Sequence, residues 1–213
     1  MQNPCGAALR ALAVETPDHQ LMQSDAIAFA EEVFGHRYEE FEGLKPVFDN
    51  SGIVSRQLAM PLEWYREQRD WSERTEVFID VATALFVKAA RSALDRCAYK
   101  ASEIDAVITV SSTGVATPTI DVRAAGCLGL RADIMRVPIF GLGCGGGVAG
   151  LSLAARLARA EPGIKVLLVV IELCTTAFRS DKLTKSNVVA TALFGDGAAA
   201  AVLTGGAQDG DVC

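Results

Sequence analysis

One cysteine inside a glycine cluster is the residue of this chain best suited to chemistry. In the stretch RVPIFGLGCGGGVAGLSLAARLARA, residues 136–160, an apolar segment leads into glycines around Cys144 and then into an Ala/Leu-rich segment. A thiolate is favoured at the start of a helix, because unpaired N–H groups and the positive end of the helix dipole meet there. Glycines on both sides permit a sharp turn and the close approach of an acyl group, whose oxyanion nearby N–H groups can stabilise. The pattern therefore predicts a nucleophilic thiol.

Two other interpretations of the same stretch stay open on the residues alone. Gly141, Gly143 and Gly146 satisfy the G-x-G-x-x-G pattern of a dinucleotide-binding loop, and Glu172 ends the next apolar segment as a ribose-binding acid would. Cys144 could also be a buried structural thiol. The cysteine at the centre of the loop and the 140 residues before it count against the nucleotide interpretation.

Composition narrows the class of protein. The chain has 213 residues, 50% of them hydrophobic, and a net charge of −6, which suits a buried core and disfavours general nucleic-acid binding. Six cysteines without a CxxC pair, and histidines at positions 19 and 36 alone, predict neither a metal site nor a disulfide framework. The first twenty residues lack the pattern of a secretory signal, and the uncharged span 137–155 contains too many glycines for a membrane helix. We therefore expect a cytoplasmic protein without a membrane span.

The elements around the cysteine alternate between strands and helices. Periodicity predicts helices over 24–35 and 75–100, with Ser24 as the N-cap of the first, and further helices after Pro118 and Cys144. Apolar runs predict strands over 104–112, 135–140 and 165–173 and after the FGDG turn. The order indicates an α/β layered fold with a mostly parallel sheet. Apolar side chains surround most of the helix after Cys144, so we expect that helix to be buried between layers.

Four segments in this order and spacing resemble a known family. VSSTGVATPTID, RVPIFGLGCGGGVAGLSLAARLARA, KVLLVVIELCTTAF and NVVATALFGDGAAAAV are similar to the N-terminal half of type III polyketide synthases, the chalcone and stilbene synthase family, and the similarity extends upstream to about Leu9. The resemblance implies a thiolase-like α-β-α-β-α architecture. Residues 1–213 would supply its first half, with a mostly parallel mixed sheet, a buried central helix and a linker-like tail at 206–213. The C-terminal half would be absent.

The resemblance also implies roles for individual residues. Cys144 matches the nucleophile that takes an acyl group from coenzyme A. The matching substrate-binding positions are Thr113 beside the nucleophile, Thr117 at a dimer interface, Cys174 and Ala177 in the cavity, and Phe194 as a gatekeeper. Lys45 and Arg56 are the basic residues left for contact with coenzyme A, and Glu172 matches a buried structural acid. For the pocket residues, ordinary loop or core packing is the alternative interpretation.

The implied activity needs more than these residues. Acyl-CoA and malonyl-CoA would be the substrates, with no cofactor, and a resorcinol, pyrone or related polyketide the product. The histidine and asparagine of the family's triad lie in the second half, and neither His19 nor His36 matches them. We therefore expect a homodimer or a complementing C-terminal half to be required. The alternatives are a third-class ketoacyl synthase of fatty-acid initiation, a non-catalytic partner subunit, or a nucleotide-binding protein.

Overall fold

The computed structural model describes residues 3–207, which form two compact units. Within the described range, unit 1 comprises residues 3–15, 79–172 and 197–207, and unit 2 comprises residues 16–78 and 173–196. The strands are β1 Asn3–Glu15, β2 His19–Met22, β3 Ser55–Leu58, β4 Ala106–Ser111, β5 Met135–Phe140, β6 Lys165–Leu173 and β7 Asp196–Ala207. The α-helices are α1 Gln23–Phe34, α2 Phe41–Leu44, α3 Pro46–Asn50, α4 Trp71–Cys97, α5 Ile120–Leu128, α6 Gly146–Ala160 and α7 Lys185–Leu193.

Unit 1 is built on a five-stranded sheet in the order β1-β7-β6-β4-β5. The β4 strand is parallel to both β5 and β6, whereas β1 is antiparallel to β7, so the sheet is mixed as predicted. Every residue of β4 is buried, in agreement with its unbroken apolar and β-branched sequence. β5 lies at one edge, where Pro138 removes a backbone donor without disrupting a central ladder.

Helix α6 packs on this sheet through a stripe of very small residues. Gly146, Gly150, Ala154 and Ala158 recur every four residues and are buried. An added Cβ at Gly150 would lie 2.8 Å from Leu168 Cδ1, so the small side chains let the helix approach the strands closely.

The opposite face of α6 is open. Val148 is 75% exposed and Leu151 is 42% exposed, so residues 3–207 do not bury the helix around most of its circumference. The predicted burial between two layers was based on the apolar composition of the helix alone. In the structure the sheet of unit 1 covers one face of the helix.

Three predicted strands of unit 1 and the long helix, which has its first residues in unit 2, are confirmed, and one strand of unit 1 was missed. The strands over 104–112, 135–140 and 165–173 correspond to β4, β5 and β6. The long helix begins at Trp71, four residues before its predicted start, and ends at Cys97. Strand β1 was not predicted, because its apolar residues are mostly alanines, which carry little strand signal.

Unit 2 has its own core, in which α1 and α7 pack against aromatic residues. Phe29, Phe34 and Tyr65 surround Phe178, with ring centroids 5.4–6.3 Å from it. β2 and β3 form a separate antiparallel pair. The sequence predicted neither this strand pair nor the short helices α2 and α3; β3, α2 and α3 lie in the polar stretch between residues 36 and 73, and β2 lies before it.

Two predicted boundaries require correction, and one stretch that had no predicted element is a helix. The N-cap of α1 is Met22 rather than Ser24, although Gly35 ends the helix as predicted. The apolar stretch before the FGDG turn is helix α7, whose N-cap Thr184 accepts a hydrogen bond from the Asn187 N–H. Of the predicted linker at 206–213, residues 206 and 207 belong to β7, because antiparallel pairing with β1 extends to Ala207. Residues 208–213 lie outside the described range.

Over residues 3–207, no helix has both the length and the apolar character that crossing a membrane requires. The same residues contain no group of three or more His, Cys, Asp or Glu side chains arranged to hold a metal ion.

Candidate active site

Cys144 lies in unit 1 at the junction between β5 and α6. Residues Gly143–Gly145, which include the cysteine, form a 3-10 turn that continues directly into α6. The cysteine therefore lies at the N-terminal end of this helical segment. Gly141 and Gly143 have φ angles of +83° and +56°, which a residue with a side chain rarely adopts. The glycines are therefore needed to reverse the chain between strand and helix. The Cys144 thiol is free and its residue is exposed.

The end of β4 lies beside this turn, because β4 and β5 are parallel and Ser111 pairs with Phe140. The Gly141 N–H donates to the Ser111 carbonyl oxygen at 3.4 Å. The Gly143 N–H donates to the Ser112 hydroxyl at 2.8 Å. Backbone and side-chain atoms at the end of β4 thus hold two of the glycines that precede Cys144.

Glu172, at the end of β6, contributes to the same edge of the sheet. Its Oε2 accepts a hydrogen bond from the Ser112 N–H at 3.0 Å. The carboxylate therefore fixes the backbone of the residue whose hydroxyl holds the turn. This contact agrees with the structural role expected for Glu172, although the residue is half-buried rather than fully buried.

The loop after β4 carries the two predicted threonines. Thr113 is half-buried, directly beyond Ser112, and Thr117 is exposed. Arg123 of α5 holds the far end of the loop: its Nε donates to the Pro118 carbonyl at 2.9 Å and its Nη2 to the Thr117 carbonyl at 3.3 Å. Unit 1 therefore brings the threonine loop and the Cys144 turn to one edge of its sheet.

Cys174, Ala177 and Phe194 belong to unit 2. Cys174 and Ala177 begin and end a 3-10 turn after β6, the first half-buried and the second exposed. Phe194 follows α7 and is 47% exposed, so it is not an ordinary core aromatic of this chain. Their substrate-binding roles stay predictions.

Asp196 of the FGDG turn organises unit 2, and the sequence did not single it out as a polar anchor. Its Oδ1 accepts from the Thr175 N–H at 2.9 Å, and its Oδ2 accepts from the Ala59 N–H at 2.6 Å and from the Thr175 hydroxyl. Burial raises the pKa of this carboxyl to about 6, and the hydrogen bonds from Thr175 and Ala59 oppose that rise. Burial also raises the pKa of Tyr65, whose hydroxyl lies 2.6 Å from that of Thr175.

The two residues predicted to contact coenzyme A already have protein partners. Arg56 is 7% exposed, and its terminal nitrogens donate to Gln23 Oε1 and to three backbone carbonyls at the end of α7, those of Thr191, Ala192 and Phe194. Arg56 therefore caps a helix C-terminus. Lys45 pairs with Glu31 and Glu42, each at 2.8 Å. The Lys45 pairs are with exposed carboxylates, whereas the Arg56 contacts are buried in the protein. The contact of both residues with coenzyme A stays a prediction.

The mixed sheet of unit 1, with a glycine turn and a cysteine between an edge strand and a helix, defines the N-terminal half of the thiolase-like fold. The family model described as chalcone and stilbene synthases, N-terminal domain, matches residues 2–207. The chain belongs to this family.

Relatives and solved structures support the assignment. The chain is 36% identical over 212 residues to a putative chalcone synthase of Bacillus subtilis, covering 95% of this chain and 57% of the relative. It is 36% identical over 201 residues to 1,3,6,8-tetrahydroxynaphthalene synthase of Streptomyces peucetius, covering 94% and 53%. The type III polyketide synthase germicidin synthase of Streptomyces coelicolor superposes with a TM-score of 0.88 at 26% identity, covering 97% and 62%. The chain thus spans little more than half the length of these proteins.

Proposed function

We propose that Cys144 is the nucleophile of a type III polyketide synthase and accepts an acyl group from acyl-CoA. The observation that carries the proposal is the exposed free thiol at the N-terminal end of the α6 helical segment, in a turn shaped by two left-handed glycines. Exposure leaves the sulfur open to a thioester, and unpaired N–H groups at the start of a helix can stabilise the oxyanion that forms.

The first step is a thioester exchange. The Cys144 sulfur attacks the acyl carbonyl carbon, the bond from that carbon to the coenzyme A sulfur breaks, and the thiol proton passes to the departing coenzyme A. Malonyl-CoA then loses carbon dioxide, and its enolate carbon attacks the acyl carbon and releases Cys144. In this family a histidine and an asparagine from the second half promote the decarboxylation, so condensation requires that half in addition to residues 1–213.

The nature of the product follows from the same proposal. Relatives of this chain carry the names 1,3,6,8-tetrahydroxynaphthalene synthase and alpha-pyrone synthesis polyketide synthase-like Pks18. An aromatic or pyrone polyketide, built from malonyl-CoA units on an acyl starter, is consistent with both. Cys174 and Ala177 are small, which suits a long or bulky starter if their turn lines the cavity.

Acyl loading tests the proposal directly. The chain is incubated with a fatty acyl-CoA and digested, and the acylated peptides are identified by mass spectrometry. We expect the adduct on Cys144, its loss in Cys144→Ala, and little adduct on Cys127, an exposed free thiol of α5 that serves as an internal control. Equal acylation of both cysteines, or none on Cys144 when a C-terminal half of the family is co-expressed, would contradict it.

Product analysis then separates the related activities. With malonyl-CoA and a complementing half, a cyclised product of several extensions supports the polyketide synthase. A single condensation without ring closure would instead indicate a ketoacyl synthase. Binding of NAD would support the interpretation of the glycine turn as a dinucleotide-binding loop.

A further inference from the structure

The side chain of Ser112 connects the end of β4 to the residue directly before the proposed nucleophile. Its hydroxyl oxygen accepts the Gly143 N–H at 2.8 Å, and Gly143 has a φ of +56°. Glycine explores many backbone conformations, so a single bond at this residue restricts the turn more than it would elsewhere. The next residue along the chain is Cys144.

Ser112 is itself held in place. Its N–H donates to Glu172 Oε2 at 3.0 Å, and Glu172 lies on β6, the other parallel neighbour of β4. The hydroxyl therefore projects from a backbone that is fixed to the sheet. Two hydrogen bonds thus connect Glu172 to Ser112 and Ser112 to Gly143. Gly143 is the residue directly before Cys144.

From this geometry we infer that Ser112 is a positioning residue for Cys144: it holds the Gly143 amide so that the sulfur stays at the N-terminal end of the α6 segment. The inference deepens the proposed function and rests on it. Ser112 acts on the sulfur through Gly143, whose N–H its hydroxyl accepts. A neutral hydrogen bond of this kind changes an equilibrium by about 2- to 10-fold, and we expect the reactivity of Cys144 to change within that range.

Four variants isolate the hydroxyl. Ser112→Ala removes it, Ser112→Thr keeps it, and Ser112→Val has the shape of threonine without it. Ser111→Ala is the matched control, because the neighbouring Ser111 hydroxyl is buried and has no hydrogen-bond partner. Its removal should leave the turn unchanged.

The main measurement is the rate of alkylation by iodoacetamide at Cys144 relative to Cys127 in the same sample at one pH. The ratio should fall about 2- to 10-fold in Ser112→Ala and Ser112→Val, and stay near the unaltered value in Ser112→Thr and Ser111→Ala. Equal ratios for the threonine and valine variants would overturn the inference. Because these two side chains have the same shape, the comparison still decides if the alanine variant folds poorly.

Two further measurements separate this inference from the proposed function. If Cys144 accepts an acyl group, Ser112→Ala should lower the loading rate at saturating acyl-CoA and leave the half-saturating concentration unchanged. If no loading occurs, the proposed function fails, and the alkylation ratios still decide the role of Ser112. In the unaltered chain the Gly143 amide should exchange its hydrogen more slowly than an unbonded amide, and free exchange would also overturn the inference.

Discussion

The close approach of α6 to its sheet makes a single methyl group at Gly150 costly. A Cβ at this position would lie 2.8 Å from Leu168 Cδ1 and 2.9 Å from Val110 Cγ2, whereas ordinary contacts are longer than about 3.4 Å. The valine side chain is stiff at χ1 and cannot turn away freely. Overpacking of this kind costs about 1–3 kcal/mol.

Gly147 on the same helix provides the matched control. Its added Cβ would meet Val170 at 4.0 Å, an ordinary contact. Replacing glycine by alanine inside a helix raises the free energy of unfolding by up to about 1 kcal/mol through helix propensity, and this gain is similar at both positions. It largely cancels in the comparison, so Gly150→Ala should be less stable than Gly147→Ala by about 1–3 kcal/mol.

Urea unfolding followed by circular dichroism measures the two free energies of unfolding. Gly147→Ala should be as stable as the unaltered chain or more stable, and Gly150→Ala should be less stable than Gly147→Ala. Equal stabilisation by both alanines would refute the reasoning, because it would mean that α6 does not lie against β4 and β6 as closely as described.

Three more predictions concern the charged groups and the open face. Arg56→Met should lower the free energy of unfolding by about 3 kcal/mol, because the carbonyls at the end of α7 lose their donors, while Lys45→Met, which breaks exposed ion pairs, should cost less than about 1 kcal/mol in the same urea titration. The pKa of Asp196 is raised from 3.8 to about 6, so the protonated carboxyl favours the folded state; stability should fall as pH rises from about 4 to about 6, by up to about 3 kcal/mol, and thermal unfolding of Asp196→Asn should lack this fall. Val148→Asp should reduce self-association of the chain in size-exclusion chromatography, because Val148 is 75% exposed on an apolar face; unchanged elution of an associated chain would show that this face is not involved.

The sequence predicted the elements around Cys144 well for physical reasons. β4 and β6 carry continuous apolar residues that fit a doubly covered strand, and the glycines of the turn have the positive φ angles that only glycine adopts readily. These features are local, so a short stretch of sequence is sufficient to specify them.

The features that the sequence did not predict depend on contacts between distant residues. Arg56 looked available for a phosphate, yet it lies against the end of α7, 135 positions away in the chain. In the sequence, Ser112 is one of several polar loop residues. In the structure, the parallel pairing of β4 with β5 brings its hydroxyl to Gly143. The rule that parallel strands end at one edge of a sheet could have pointed to this hydroxyl, but which glycine it holds depends on the register.

The hydrogen bonds from Arg123 to the loop after β4 determine which substitutions in this loop would change its backbone. The guanidinium donates hydrogen bonds to the backbone carbonyl oxygens of Thr117 and Pro118. This tether, as we call the two bonds, therefore does not depend on the exposed side chain of Thr117. A library that varies position 117 would therefore leave this tether in place, whereas changing Arg123 would release the loop whatever residue it carried.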